Sequence, residues 1–191
     1  MDSRFRGNDA ICLLTQFQFP IPKPMRRIIS ILLQNEAGAL ARVAGMFSAR
    51  GYNIESLTVA ITHDPSVSRL TLVTFGDENV IDQIVKQSRK LVDVLEIADL
   101  TTREHFEAEL LMVKVAAAKD CAPALRECVL RHPGAQLIDA TGKAHTIRFA
   151  GSGSEVNAFL AELESIARVL ELARSGTAAL ERGEAVLMPA M

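Results

Sequence analysis

Asn35, Gly38 and Asn53 are the residues of this 191-residue chain whose types and spacing suit a chemistry, and that chemistry is recognition, not bond making. The turn Asn35-Glu36-Ala37-Gly38 stands where a helix begins. A helix start offers unsatisfied N–H groups and the positive end of a dipole, which attract a carboxylate or phosphate. Gly38 has no Cβ to keep a ligand from the backbone. Asn35 and Asn53 each carry an amide that donates and accepts, so each can meet an ammonium on one side and a carboxylate on the other. Leu40 and Ile54 are suited to wall a branched apolar side chain, and Ala37 keeps the turn small. A zwitterion with a small hydrophobic group fits this set best. The same residues are also the commonest turn formers, so Gly38 as a plain tight turn and Asn35 as a plain helix cap stand beside that reading.

No nucleophile or acid–base pair is placed near these residues, which argues against a small enzyme. His63, His105, His132 and His145 are scattered at no metal spacing and read as loop or surface residues. Cys12, Cys121 and Cys128 form no CxxC pair and no disulfide framework; they read as buried thiols in a reducing cytoplasm. Ser152-Gly153-Ser154 lacks the pattern of a phosphate loop and, with Glu155, reads as a capping box. Glu107, Glu109, Glu162 and Glu164 alternate as exposed faces do.

The elements that must position the turn follow from periodicity. Arg27–Leu33 alternates as a strand, with Ile29, Ile31 and Leu33 on one face. Leu40, Val43, Ala44 and Phe47 share a helix face. Asn53–Ile61 reads as a second strand, with Ile54, Ser56 and Thr58 opposite Leu57, Val59 and Ile61. Ser68–Phe75 makes a hairpin with it, a helix runs through Val80–Val85, and Val92–Leu100 is a fourth strand. After the link Thr101–His105 the order recurs: strand Ala108–Ala116, helix Pro123–Leu130, hairpin Gln136–Ala140 with His145–Ala150, a helix after Ser152, and strand Val169–Ala173. The chain is therefore α+β, with two consecutive ferredoxin-like βαββαβ domains over 25–102 and 106–182. Residues 1–24, proline-broken and mixed in charge, are expected to be a non-native or disordered leader with the true start at Met25. Residues 183–191 form a tail, with partial disorder expected after Arg182. Asn35 ends the first strand and Asn53 begins the second, so a site built from both is expected to need two copies side by side.

Composition narrows the classes. Net charge is -2 and there is no Trp and one Tyr, which disfavours a nucleic-acid partner. The central strands lack the aromatics that an RNA-binding module of the same topology stacks on bases. No apolar run approaches the ~20 residues of a membrane span. Two domains of this size bury modest cores, and an oligomer completes the burial naturally.

The run from Asn35 to Val59, NEAGALARVAGMFSARGYNIESLTV, resembles the ACT domain of the small, regulatory subunit of acetolactate synthase (acetohydroxyacid synthase). Lys90-Leu91-Val92-Asp93-Val94, Glu109–Val115 and Ala173-Arg174-Ser175-Gly176 extend the resemblance in order, from Met25 to about Arg182. The resemblance implies a subunit with no catalytic site of its own. It implies a catalytic large subunit as partner, which would carry thiamine diphosphate, Mg and FAD, while this chain binds no cofactor. It further implies activation of that partner, feedback inhibition by a branched-chain amino acid, usually valine, and homodimerisation through ACT domains. Effector would sit at the pair interface on Asn35, Gly38, Asn53 and Ile54, with Ala37 and Leu40 beside them. Ala37 and Ala41 stand where the family often has small hydroxylated residues. A free-standing ACT-domain sensor of another pathway is the alternative.

Overall fold

The computed structural model describes residues 25–116 and 122–189. The leader, Cys12 and Cys121 lie outside the described residues. The first domain runs β1 Met25–Gln34, α1 Ala39–Ala49, β2 Ser56–Ile61, β3 Val67–Gly76, α2 Glu78–Ser88 and β4 Val94–Asp99. Its antiparallel sheet has the order β2-β3-β1-β4. The second domain repeats this with β5 His105–Ala116, α3 Ala122–Arg131, β6 Ala135–Asp139, β7 Ala144–Gly151, α4 Gly153–Ile166 and β8 Val169–Arg174, in sheet order β6-β7-β5-β8. Two ferredoxin-like units, as the periodicity predicts, are the result.

Burial explains the patterning. Ile29, Ile31 and Leu33 of β1 meet Val43, Met46 and Phe47 of α1 and Ile81 and Ile84 of α2. In the second domain Leu111, Val113 and Val115 meet Leu125 and Cys128 of α3 and Val156, Phe159 and Leu163 of α4. Each fully buried side chain of this kind contributes roughly 1.5–3 kcal/mol relative to exposure. The predicted capping box is present: Ser152 N–H donates to Glu155 Oε2 at 2.7 Å, and Glu155 N–H donates to Ser152 Oγ at 3.3 Å.

Two expectations need correction. Strand β2 begins at Ser56, so Asn53 and Ile54 lie in the irregular segment before it. Strict alternation puts Ile54 opposite Leu57, yet both pack on the helix-side core, because the chain through Ile54 is not pleated. The second domain also carries one element more than its sequence pattern suggests. Ala178–Glu181 forms a further strand, β9, pairing antiparallel with His105–Ala108 at the start of β5.

That extra strand has a purpose in packing. The far face of the first sheet presents Ile28, Val73 and Ala98, and these are buried with Leu100 against Ala179 of β9, with Leu187 beside them. The two domains are thereby joined. Arg26 donates to Glu107 at 2.7 Å and to Thr177 at 3.3 Å, and Thr58 Oγ1 donates to the Ser175 carbonyl at 2.9 Å. At this seam Gly176 takes φ +79°, and a Cβ there would stand 2.8 Å from Thr58 Oγ1 and 3.3 Å from the Leu57 carbonyl oxygen.

Gly176 and Gly183 both have positive φ, but nothing lies within 4 Å of a Cβ on Gly183. Gly183→Ala therefore meets backbone strain alone, about 1 kcal/mol. Gly176→Ala meets that strain and the seam contact, so its urea midpoint should fall clearly further. Equal midpoints for the two variants would show that the seam does not approach as closely as described.

Candidate functional site

The turn before α1 is built by Gly38. Its φ is +89°, in the left-handed region, and it serves as N-cap with no side-chain cap. Two other helix starts differ: Asp77 caps α2 and Ser152 caps α4 through their side chains. The first helical backbone bond is Arg42 N–H to the Gly38 carbonyl, at 2.9 Å. The N–H groups of Leu40 and Ala41 thus precede the helical ladder, as geometry requires of a first turn. Glu36, Ala37, Gly38 and Leu40 are all exposed.

Asn35 fixes the turn to the β2–β3 loop. Its Nδ2 donates to the Pro65 carbonyl at 2.9 Å, and its Oδ1 accepts from Ser68 Oγ at 3.0 Å. Its own N–H donates to the Ser66 carbonyl at 2.7 Å. Both ends of the amide are therefore engaged within the chain.

Arg42 and Asp93 are residues that sequence reasoning did not single out for this corner. Arg42 Nη2 donates to Asp93 Oδ1 at 2.6 Å and Arg42 Nε donates to Asp93 Oδ2, a two-pronged pair. A Cβ on Gly38 would lie 2.9 Å from Arg42 Nη1, so the guanidinium rests directly against the glycine. The Asp93 carbonyl accepts from Gln34 N–H at 2.8 Å. Arg42 thus ties α1 to the residue just before β4, beside the end of β1. The Arg42 hydrogen bonds hold the Asp93 carboxyl below the usual carboxylate range. The only sequence signal was that Arg42 falls four residues after Gly38.

Asn53 and Ile54 lie elsewhere. The Asn53 carbonyl accepts from Thr74 Oγ1 at 2.6 Å, and Thr74 pairs with Arg27 at the start of β1. Asn35 follows Gln34, at the opposite end of the same strand, which pairs with Val67. The two asparagines are therefore roughly 25 Å apart along the strand direction. One copy brings Asn35, Ala37, Gly38 and Leu40 together, and separately Asn53 and Ile54; it does not bring the two groups together. Within one copy the register therefore keeps the two groups at opposite ends of the sheet. Ile54 is half-buried in the helix-side core, while Asn53 is exposed.

In the second domain the glutamates are not plain surface groups. Glu109 is buried and accepts from Arg174 Nε at 2.7 Å and Nη2 at 2.8 Å. This buried carboxylate, held by an exposed guanidinium, corrects the exposed-face reading for Glu109. His132 is likewise more than a loop residue. Its ring stands edge-on to Phe159, centroids 5.0 Å apart, and its Nε2 is 2.8 Å from Glu162 Oε2. Glu162 also accepts from Arg131, and Cys128 lies against it, fully buried. Burial first, and then Glu162, pushes the Cys128 thiol up to about 11. Among the described residues no helix is long and apolar enough to cross a membrane.

Comparison with known proteins covers both domains. Residues 29–96 match the family model described as AHAS small subunit-like ACT domain, and residues 108–183 match the model described as small subunit of acetolactate synthase. The acetolactate synthase isozyme 3 small subunit of Salmonella typhimurium is 48% identical over 163 residues, 85% of this chain and 99% of that protein. That of Escherichia coli is 47% identical over the same shares. The crystal structure of the acetolactate synthase small subunit from Thermotoga maritima superposes with a TM-score of 0.76 at 32% identity, covering 84% of this chain and 99% of that one.

The Arg42–Asp93 pair makes a pH-dependent contribution with a definite sign. Asp93 is depressed in the folded chain, so its share of stability is present above the ordinary carboxylate value of about 3.9 and is lost as pH falls through its folded value. Asp93→Asn should destabilise the protein at pH 7, and the gap to the parent chain should narrow below about pH 4. Urea denaturation of both proteins across pH 3 to 7 checks this. A gap unchanged at the acid end would show that Asp93 is not held as its carboxylate by Arg42.

Proposed function

This chain belongs to the acetolactate synthase small-subunit family, and from that premise we propose that it activates a catalytic acetolactate synthase subunit and makes it sensitive to feedback inhibition by valine or another branched-chain amino acid. The chain supplies no catalytic group of its own in this reading. Thiamine diphosphate, Mg and FAD belong to the catalytic partner, and the assembly works in the cytoplasm.

The observation that carries the reading is the start of α1. The Leu40 and Ala41 N–H groups meet no side-chain cap, the Arg42 guanidinium beside Gly38 adds positive charge, and Glu36, Ala37, Gly38 and Leu40 are exposed. A carboxylate is the natural ligand for such a helix end. The second half of the site comes from a second copy. Strand β2 pairs only with β3 within the sheet, so its outer edge is free, and Val59 and Ile61 on it are exposed. An isologous pair formed side by side at this edge runs the two β2 strands antiparallel. That arrangement sets the Asn53 end of one copy beside the Asn35 end of the other. Asn35, Ala37, Gly38 and Leu40 of one copy then face Asn53 and Ile54 of its mate. The zwitterion's carboxylate meets the helix start, and Leu40 and Ile54 flank its branched side chain.

Inhibition follows by linkage. Effector shifts activity only if it binds one arrangement of the pair better than another. A tenfold loss of activity needs roughly 1.4 kcal/mol of such coupling. A free-standing sensor of another pathway is distinguished by failure to alter any acetolactate synthase.

The test mixes the purified chain with its catalytic partner and follows acetolactate formation while valine, leucine and isoleucine are titrated separately. Gly38→Asp puts a carboxylate against the Arg42 guanidinium beside the helix start, where it neutralises that charge and repels the effector's own carboxylate, so inhibition should disappear while activation remains. Asn35→Ala and Asn53→Ala should each weaken inhibition when alone. Mixed and allowed to exchange subunits, they should regain part of it, because a mixed pair holds one intact site. Wild-type sensitivity in Gly38→Asp, or no recovery on mixing, rejects the composite site.

A further inference from the structure

We infer that Cys128, His132 and Glu162 form a site for a borderline-soft divalent cation of the zinc class, joining α3 to α4 in the second domain. This inference stands apart from the effector reading, because the site lies in the other domain. One ligand atom from each residue, the thiol sulfur, a ring nitrogen and a carboxylate oxygen, lies within 4.8 Å of the other two. Cys128 lies in the last turn of α3, and His132 directly follows the helix end at Arg131. Glu162 reaches them from α4.

The geometry is close to what the ion requires. Tetrahedral zinc, with bonds of about 2.0–2.3 Å, holds its ligand atoms roughly 3.2–3.7 Å apart. His132 Nε2 and Glu162 Oε2 are 2.8 Å apart, so they need to open by only about 0.5 Å to admit the ion between them. The His132 ring is already oriented by Phe159 and Phe149, at 5.0 and 6.1 Å between centroids. Cys128 is fully buried, whereas the His132 and Glu162 side chains are 31% and 28% exposed, which leaves the cluster reachable from solvent.

Charge and donor type select the ion. Thiolate, imidazole and carboxylate together suit zinc and exclude the all-oxygen preference of magnesium or calcium. On binding, the sulfur–metal bond forms as the thiol proton leaves to solvent. One thiolate and one carboxylate then balance the two positive charges. Arg131 keeps its contact with Glu162 Oε1, which leaves Oε2 for the metal and acts as an outer hydrogen-bond partner. The ion crosslinks the two helices that cover the second sheet.

The test uses the full chain, reduced and stripped with chelator, titrated with Co²⁺ and then Zn²⁺. One equivalent of cobalt should produce tetrahedral d–d bands with a thiolate charge-transfer band, and zinc should displace them. Zinc at a hundredfold excess over its Kd should raise Tm by roughly 10 °C. Cys128→Ser should lose the charge-transfer band, His132→Gln and Glu162→Gln should weaken binding at least tenfold, and Cys121→Ser should bind normally. Circular dichroism confirms each fold; should Cys128→Ser fail to fold, the two polar variants decide the matter. No charge-transfer band in the parent chain, its retention in Cys128→Ser, or unchanged affinity in both polar variants overturns the site.

Discussion

A four-stranded sheet with two helices on one face leaves its other face to be covered, and in this chain that face is too apolar to meet water. β1 is buried on both sides: Ile29, Ile31 and Leu33 toward the helices, Ile28 and Leu32 away from them. The hydrophobic term for such residues far exceeds any single polar contact at the surface. The cover comes from the chain after β8, which returns as β9 and lays Ala179 and Leu187 against Ile28, Val73 and Ala98. The Arg26–Glu107 pair and the Thr58–Ser175 hydrogen bond fix the register of this seam. Gly176 is needed because the turn between β8 and β9 passes against Thr58 and the Leu57 carbonyl. The second domain is thus part of the first domain's core.

The cover stops short of the sheet edge. A cavity of about 950 Å³ remains between β2 and the returning chain, lined in part by Thr58, Ile61, Phe106, Leu180 and Met188. β2 therefore keeps a free edge with apolar residues on it, a feature that isolated domains normally blunt with charge or proline. Such an edge is open to pairing with a further strand. The seam and the free edge lie on one strand: Thr58 holds the second domain while Val59 and Ile61 stay exposed.

Much of this was legible in the sequence. Periods of two and of three to four residues identified the strands and helices of both domains, because each buries one clear stripe. The capping box was legible because its partners are three residues apart. What escaped was non-local or very short. β9 has four residues, too few for alternation to register, and its partner strand begins 73 residues earlier (178 − 105 = 73). Glu109 looked exposed because alternation cannot see Arg174, which is 65 positions away and permits its burial. Arg42 and Asp93, 51 apart, escaped for the same reason, although one rests on the glycine that was singled out. Ile54 was assigned to the wrong face because strand periodicity was extended through a segment that is not pleated. At the candidate site, the residue types were legible; the distance between its halves followed from topology, which the order of elements already contained.

That distance bears on how a small ligand can move a large assembly. Asn35 is held to the β2–β3 loop by both ends of its amide, and the Gly38 turn is clamped through Arg42 to Asp93. The Asn53 segment is held to β3 through Thr74. Each half of the proposed site is therefore rigidly attached to one sheet, and a ligand spanning two copies senses their relative orientation more than any internal bend. With the two ends of a copy roughly 25 Å apart and the dyad between them, a rotation of about 5° between copies displaces one half against its mate by roughly 1 Å. A carboxylate–amide contact does not survive such a displacement, since hydrogen bonds tolerate only a few tenths of an ångström. In the proposed pair, two arrangements can then differ in effector affinity while each copy stays unchanged. The second domain follows any such rotation, because its chain is the cover on the first domain's sheet and cannot slide without exposing Ile28 and Val73.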